Sequence, residues 1–353
     1  MSNQIMARDL ASRYSQTMAK AMLSTSAVSS AGAAQLDFAE LLTQVNTYYV
    51  PLTMRMAMRP AKGVTHEWRE ITVPARTNMK AIEGSAAAAG TSVTPDAYSN
   101  TCEILKATIS ISNSAKAEAA NGLYGSELTM LTARELDLLY TQLLEAREYD
   151  LLFGVEVTKA SAGTSSARAM KGLVGAPGAW NGWLQTNQYP VSGDFSKAGL
   201  DALLTQIWKS QPKKLPNAIV CSIEAQAMMS NWASLYRAVV TPDQLGNMVA
   251  SHRVTAYQAP WNGILEVIAH PLCANSVTAA NNWAAVITLE PDYLAFADLR
   301  PLMTHPIVAT AAGAIDADIY EIITETTCEV RGEYGQGLLT GFDEVSAADM
   351  EGS

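Results

Sequence analysis

The residues suited to chemistry are few and badly placed for it. Four histidines stand at 66, 252, 270 and 305, and no two share a metal-ligand spacing. His66-Glu67 is not followed by the second histidine of an H-E-x-x-H helix, so a zincin-type site is unreadable. Four cysteines, Cys102, Cys221, Cys273 and Cys328, are too far apart for a C-x-x-C zinc or redox motif and read as isolated buried thiols. No serine lies in G-x-S-x-G, and no Gly-Lys pair offers a phosphate loop. GEYGQGLLTG at 332–341 has the wrong glycine spacing for a dinucleotide site, with too little chain after it for a βαβ unit. No cofactor or metal is called for. A hydrolase with a dispersed catalytic site stays open, because triad members need not be close in sequence.

Charge argues against nucleic-acid reading as well. The 353 residues carry a net charge of −10, and Lys213-Lys214 is the only adjacent Lys/Arg pair. The distribution is uneven. Residues 1–80 hold nine Lys/Arg against five acids, whereas the chain from Asp316 onward holds ten acids against Arg331 alone. The two parts either attract each other, within or between subunits, or form separately solvated surfaces. Apolar residues make up 48% and charged residues only 16%, which suits a large core and surfaces hidden against neighbours. The N-terminus lacks the apolar stretch of a secretory signal and no run reaches membrane-span length, so a soluble product made in the cytoplasm is expected.

The elements available to position side chains come in a definite order. Residues 1–60 read as an extended or partly helical arm with little core of its own, broken at SSAGAA (29–34), with a Met-rich segment between Pro51 and Pro60. VTHEWREITV (64–73) and TCEILKATISIS (101–112) read as strands, and the 27 residues between them far exceed a compact hairpin turn. A long projecting hairpin is expected. Ser126 caps the clearest helix, which runs to Phe153 without Gly or Pro. It shows a leucine-rich face and surface pairs Arg134/Asp137 and Arg147/Asp150. Residues 154–195 read as a loop-dominated connection.

A compact α/β region follows. It has a helix capped by Ser196, a strand AIVCS, a short helix from Ile223, and strands at 251–259 and 264–270 that turn at Asn262-Gly263. WAAVITL and YLAFADL read as a further strand pair, and DIYEIITETTCEV as a long late strand. The class is α+β, without regular βαβ units.

This order, with HEWRE (66–70), IEG (82–84), ILKATISIS, the ELTMLTARELDLLYTQLLEAREYDLLFG helix and RAMKGL (168–173), resembles the major capsid proteins of tailed bacteriophages. PNAIVCSIEAQ (216–226), YQAPWNGILEVIAHPLC (257–273), FADLRP (296–301) and YEIITETTCEVRGEYGQGLLTGF (320–342) extend the likeness over about residues 60–342. The resemblance implies the Johnson fold: an N-terminal arm (1–60), an extension loop (61–115), a peripheral domain with the spine helix (116–195 and 281–353), and an axial domain (196–280). It implies self-assembly into pentamers and hexamers of an icosahedral or prolate head, enclosing DNA without sequence-specific binding. The protein would reside in the virion after assembly in the bacterial cytoplasm, with portal, scaffolding and decoration proteins as further partners. No long charged scaffold segment is recognisable, so a separate scaffolding protein or none is expected. Inter-subunit contacts are expected at Trp68, Arg69, Arg76, Lys80 and Glu83, with Trp68 either the anchor or packed on its own hairpin. Some relatives cross-link through a Lys–Asn bond. Lys80 lies in the right loop, but no acceptor Asn or assisting Glu can be matched. An encapsulin-like nanocompartment shell shares the fold and is the nearest alternative.

Overall fold

The computed structural model describes residues 50–73, 80, 83–85, 92–114, 127–162, 166–191, 193–234, 254–273, 282–307 and 317–342. The side chains of 127–134, 231, 233 and 234 are outside that description. The expected arm up to residue 49, the Ser126 cap, His252 and the tail from 343 fall outside it too.

The described residues form a two-stranded sheet and two larger sheets, the larger two sharing the chain through interleaved connections. The first has four strands: β1 (Ala57–Pro60), β10 (Leu294–Ile307), β11 (Ala317–Val330) and β4 (Glu103–Ser112), in that order. β1 runs parallel to β10, and the β10–β11 and β11–β4 pairs are antiparallel. Ladder shifts between Asp298, Arg300 and Met303 bracket Pro301, which has no N–H to contribute. Burial divides the β10–β11 ribbon. Leu294–Ala297 and Ile322–Val330 are buried, while residues 304–307 are exposed, so one end is core and the other runs outward.

The second sheet orders β5 (Gln188–Pro190), β12 (Gly337–Thr340), β9 (Trp283–Ile287), β6 (Ala218–Cys221), β8 (Ile264–Ala269) and β7 (Ala256–Gln258). β7 and β8 pair around the expected turn, where Asn262 takes a φ of 64° and Ala259 N–H donates to the Gly263 carbonyl. β9 and β10 do not pair, contrary to the expectation from WAAVITL and YLAFADL. β9 sits between β12 and β6, and the chain uses the turn at Pro291-Asp292 to cross into the other sheet. Both strands are apolar on both faces, a pattern that carries no pairing information.

Helix α1 (Glu127–Phe153) spans 27 residues, roughly 40 Å at about 1.5 Å per residue, and packs on β4 and β11. Its end explains the Gly-rich stretch that follows. The amides of Gly172, Leu173, Val174 and Gly175 donate to the carbonyls of Gly154, Leu151 and Leu152, filling acceptors that a helix end leaves open. Close approach demands small residues there: a Cβ on Gly172 would lie 2.7 Å from Gly154 N and 2.8 Å from the Leu152 oxygen. The middle of the loop-dominated 154–195 connection is therefore core, with Met170, Leu173, Val174, Trp180, Trp183 and Leu184 all buried, while the described residues of 155–169 are exposed or half-buried.

Helix α2 (Lys197–Lys209) begins as expected, with Ser196 Oγ accepting from Gly199 N–H at 3.2 Å. Leu200, Leu203, Leu204 and Ile207 pack onto the second sheet together with helix α3 (Ile223–Ser234). A second core, shared by the two larger sheets, gathers Leu52, Met56, Trp68, Leu151, Trp183, Trp283 and Phe296. Leu52 and Met56 correct the arm's expected boundary: residues 50–60 belong to the body, held by these side chains and by β1 at the sheet edge.

Candidate functional site

Residues 65–101 form a hairpin whose two faces do different jobs. β2 (Thr65–Glu70) pairs with β3 (Asp96–Thr101), in register from Thr65↔Thr101 to Glu70↔Asp96. The return strand is therefore β3, not the expected 101–112 segment, which as β4 pairs with β11 instead. The period-2 alternation of strands sends His66, Trp68, Glu70, Tyr98 and Asn100 inward, and Glu67, Arg69, Ala97 and Ser99 to solvent.

The inward face fastens the hairpin root to the body. Trp68 is 4% exposed, with its ring centroid 6.2 Å from Tyr98 and 5.4 Å from Trp183. Asn100 uses both ends of its amide. Nδ2 donates to the carbonyls of Cys328 (2.9 Å) and Lys171 (3.1 Å), and Oδ1 accepts from the amides of Lys171 (2.8 Å) and Thr101 (2.9 Å). Glu70 accepts from the Gly332 amide at 3.1 Å and from Trp68 Nε1 at 3.2 Å. Burial raises the Glu70 carboxyl against the pull of those donors.

Glu329, on the buried half of β11, joins the oppositely charged parts of the sequence within one subunit. It meets His66 Nε2 at 2.9 Å, Arg59 at 3.4 Å, and Arg331. Burial alone would raise its carboxyl, but the bonds from His66 and Arg331 hold it below the ordinary value.

Beyond the last strand pair, three apolar side chains among the described residues are exposed. Ile71 is 67% exposed and Val73 is 84% exposed on the outgoing side, with Val93 on the return. Arg69, Lys80 and Glu83 are exposed on the same hairpin, whereas Arg76 lies outside the described residues. Trp68 packs on its own hairpin and body, the second of the two roles expected for it, and cannot present its ring to a neighbour in this conformation. Lys171, Trp183 and Glu329 complete the root from distant segments. Nothing local in the sequence marks them, although a lone Asn on the inward face of a strand is a signal for a backbone clamp.

Beneath α1 lies a second polar layer. Arg147 is 1% exposed, donates to Asp298 Oδ1 at 2.9 Å and Thr326 Oγ1 at 3.1 Å, and sits 3.8 Å over the Phe296 ring. The expected surface pair with Asp150 is replaced by this buried one, because α1 turns that face onto the sheet. Glu103 beside it accepts from the Met170 amide and is pushed up to about 8, first by burial and then by the charge of Asp150. Glu325 takes Arg168 at 2.7 Å and Arg300 at 2.9 Å. These groups pin helix to sheet. No described trio of His, Cys, Asp or Glu could hold a metal ion.

Residues 16–343 match the family model of the SU10 major capsid protein. The chain belongs to this major capsid protein family. A search of curated proteins returns no match. Among solved structures the capsid protein is similar to the Cyanophage A-1(L) capsid, with a TM-score of 0.60 at 12% identity over 87% of this chain and 96% of the other. It is likewise similar to a Mycobacterium phage Bobi structure, with a TM-score of 0.55 at 12% identity over 88% and 96%. The SrpI encapsulin of Synechococcus elongatus PCC 7942 gives 0.52 at 10% identity over 86% and 93%, a likeness of fold alone. The α+β chain therefore has the phage capsid fold and forms the shell of a virion by association of its own copies. Its role is structural, and the alternative of an encapsulin-like shell gives way to it.

Proposed function

We propose that this major capsid protein builds pentamers and hexamers of an icosahedral or prolate head around DNA, and that the 71–95 portion of its hairpin lies across a neighbouring subunit. Ile71 and Val73 carry the reading: they extend past the last β2–β3 pair and expose most of their apolar surface. Covering them removes apolar surface from water at about 25 cal/mol per Å², a gain available only when another copy supplies the cover. Arg69, Arg76, Lys80 and Glu83 then form the polar rim of that contact. Residues 196–280 form the axial domain at the capsomer centre, and 116–195 with 281–353 the peripheral domain. Contacts repeated head-to-tail about a local axis close into rings, and rings tile the shell. The chain assembles in the host bacterial cytoplasm, with portal, scaffolding and decoration proteins as partners of the shell.

The double variant Ile71→Asp/Val73→Asp tests the contact. Both side chains lie outside the subunit's core, so thermal unfolding of the unassembled subunit should change by less than about 0.5 kcal/mol. Electron microscopy should show shells for the parent and free subunits for the variant. Shells of normal size and yield from the variant would remove the hairpin contact from the mechanism.

A further inference from the structure

Glu148, in the penultimate turn of α1, is buried at 1% exposure and gathers three donors from two distant segments. Leu52 N–H donates to Oε1 at 2.9 Å, Thr53 N–H to Oε2 at 2.7 Å, and the His270 ring approaches Oε1 through Nε2 at 2.8 Å. His270 is equally enclosed, and its other nitrogen, Nδ1, accepts the Leu272 amide at 3.1 Å. That amide can only donate, so the ring is the neutral tautomer with its proton on Nε2, aimed at the carboxylate. One carboxylate thus ties the entry of residues 50–56 and the end of β8 to the spine helix.

We propose that Glu148 and His270 form a proton-sensitive latch that holds residues 50–56, and with them β1, against the spine helix and releases them in acid. The three donors use the carboxylate only as an acceptor. A proton on it turns one acceptor into a donor that faces another donor. That protonation weakens the two bonds made to the strap, from the Leu52 and Thr53 amides.

The surrounding groups do not replace those bonds. Arg55, on the strap itself, is turned away to Glu266 at 2.7 Å. On α1, Arg147 is taken by Asp298, and Glu145 and Asp150 are acidic. On the 3-10 turn at Pro271–Cys273, and on β6, the facing groups are the buried thiols of Cys273 and Cys221; burial pushes Cys273 well above its ordinary value, so it stays neutral. Burial would raise the Glu148 carboxyl, but the bonds from His270, Thr53 and Leu52 leave it below 4.5. A depressed carboxyl contributes stability that is present above pH 4.5 and lost as pH falls through the folded value.

Hydrogen–deuterium exchange of the full-length protein, corrected for the intrinsic rate at each pH, reads the latch directly. From pH 7 down to the lowest pH at which β10 and β11 stay protected, the amides of Leu52 and Thr53 should come to exchange about tenfold faster or more. Glu148→Gln, which presents an N–H₂ to the same donors, should show the acid-like rate already at pH 7. Protection of 50–56 that is unchanged across that range overturns the latch. So does loss that occurs only together with β10 and β11, because the strap would then have no transition of its own. The wild-type titration decides even if the variant fails to fold.

Discussion

Arg147 shows how one side chain can join two layers of a shell subunit. Its guanidinium lies between the helix and the sheet, bonded to Asp298 and Thr326 and seated on Phe296. Removing one member of a buried ion pair costs about 3–5 kcal/mol, because the other charge is left without its partner. Arg147→Ala should lower subunit stability by that amount in urea unfolding. Arg147→Met combined with Asp298→Leu should recover most of the loss, since neither charge then remains. Glu103 predicts a pH effect of the opposite sign to the latch. Its folded value, about 8, lies above the ordinary 4.5, so its favourable contribution is complete below pH 4.5 and fades as pH rises through about 8. Glu103→Gln should remove that fading. Melting temperatures from pH 4 to pH 9 should converge with wild type in acid and exceed it in alkali.

Strands β2 and β3 make a two-stranded sheet, which is marginal alone and depends on what its root touches. Asn100 makes four hydrogen bonds to backbone groups at that root, worth about 1 kcal/mol each. Asn100→Ala should cost about 2–4 kcal/mol and raise proteolytic cleavage of the hairpin in the unassembled subunit. A similar dependence on close contact governs the end of α1. A Cβ on Gly172 would press on backbone atoms of Gly154, Leu152 and Asp150, none of which has a flexible end to swing aside. Gly172→Ala should therefore lower the melting temperature measurably, whereas Ala169→Gly, three residues before Gly172 and outside that close contact, should change it little.

The contact proposed for residues 71–95 can be tested on the whole subunit. Glu70 and Asp96 are register partners, so a two-residue Asn-Gly turn can join them directly in place of residues 71–95. That shortened chain should fold, because the root's bonds all lie outside the deleted part. It should remain as free subunits in sedimentation velocity under conditions where the parent forms shells. Sealed shells from the shortened chain would show that contacts elsewhere on the surface suffice.

Much of this design was legible in residue order. The long helix ending at Gly154, the Ser196 cap, the Asn262-Gly263 turn and the late strand at 318–330 all rest on local chemistry. Caps, turns and periodicity act within a few residues, so a linear reading finds them. Partners in space were not legible. WAAVITL and YLAFADL are apolar on both faces and fit either sheet, and the tertiary fold put them in different ones. β3 carries Asp96, Ser99 and Asn100 and has little strand propensity; it is a strand because β2 and the body supply its bonds. Arg147 and Asp150 have the spacing of a surface pair, and only the placement of α1 on the sheet buries one of them. The 154–195 segment has a loop's composition, but its glycines serve contact with a helix end. Local structure follows from each residue's immediate neighbours, whereas pairing, burial and the linkage of Glu148 to His270 depend on segments more than a hundred residues apart meeting in space.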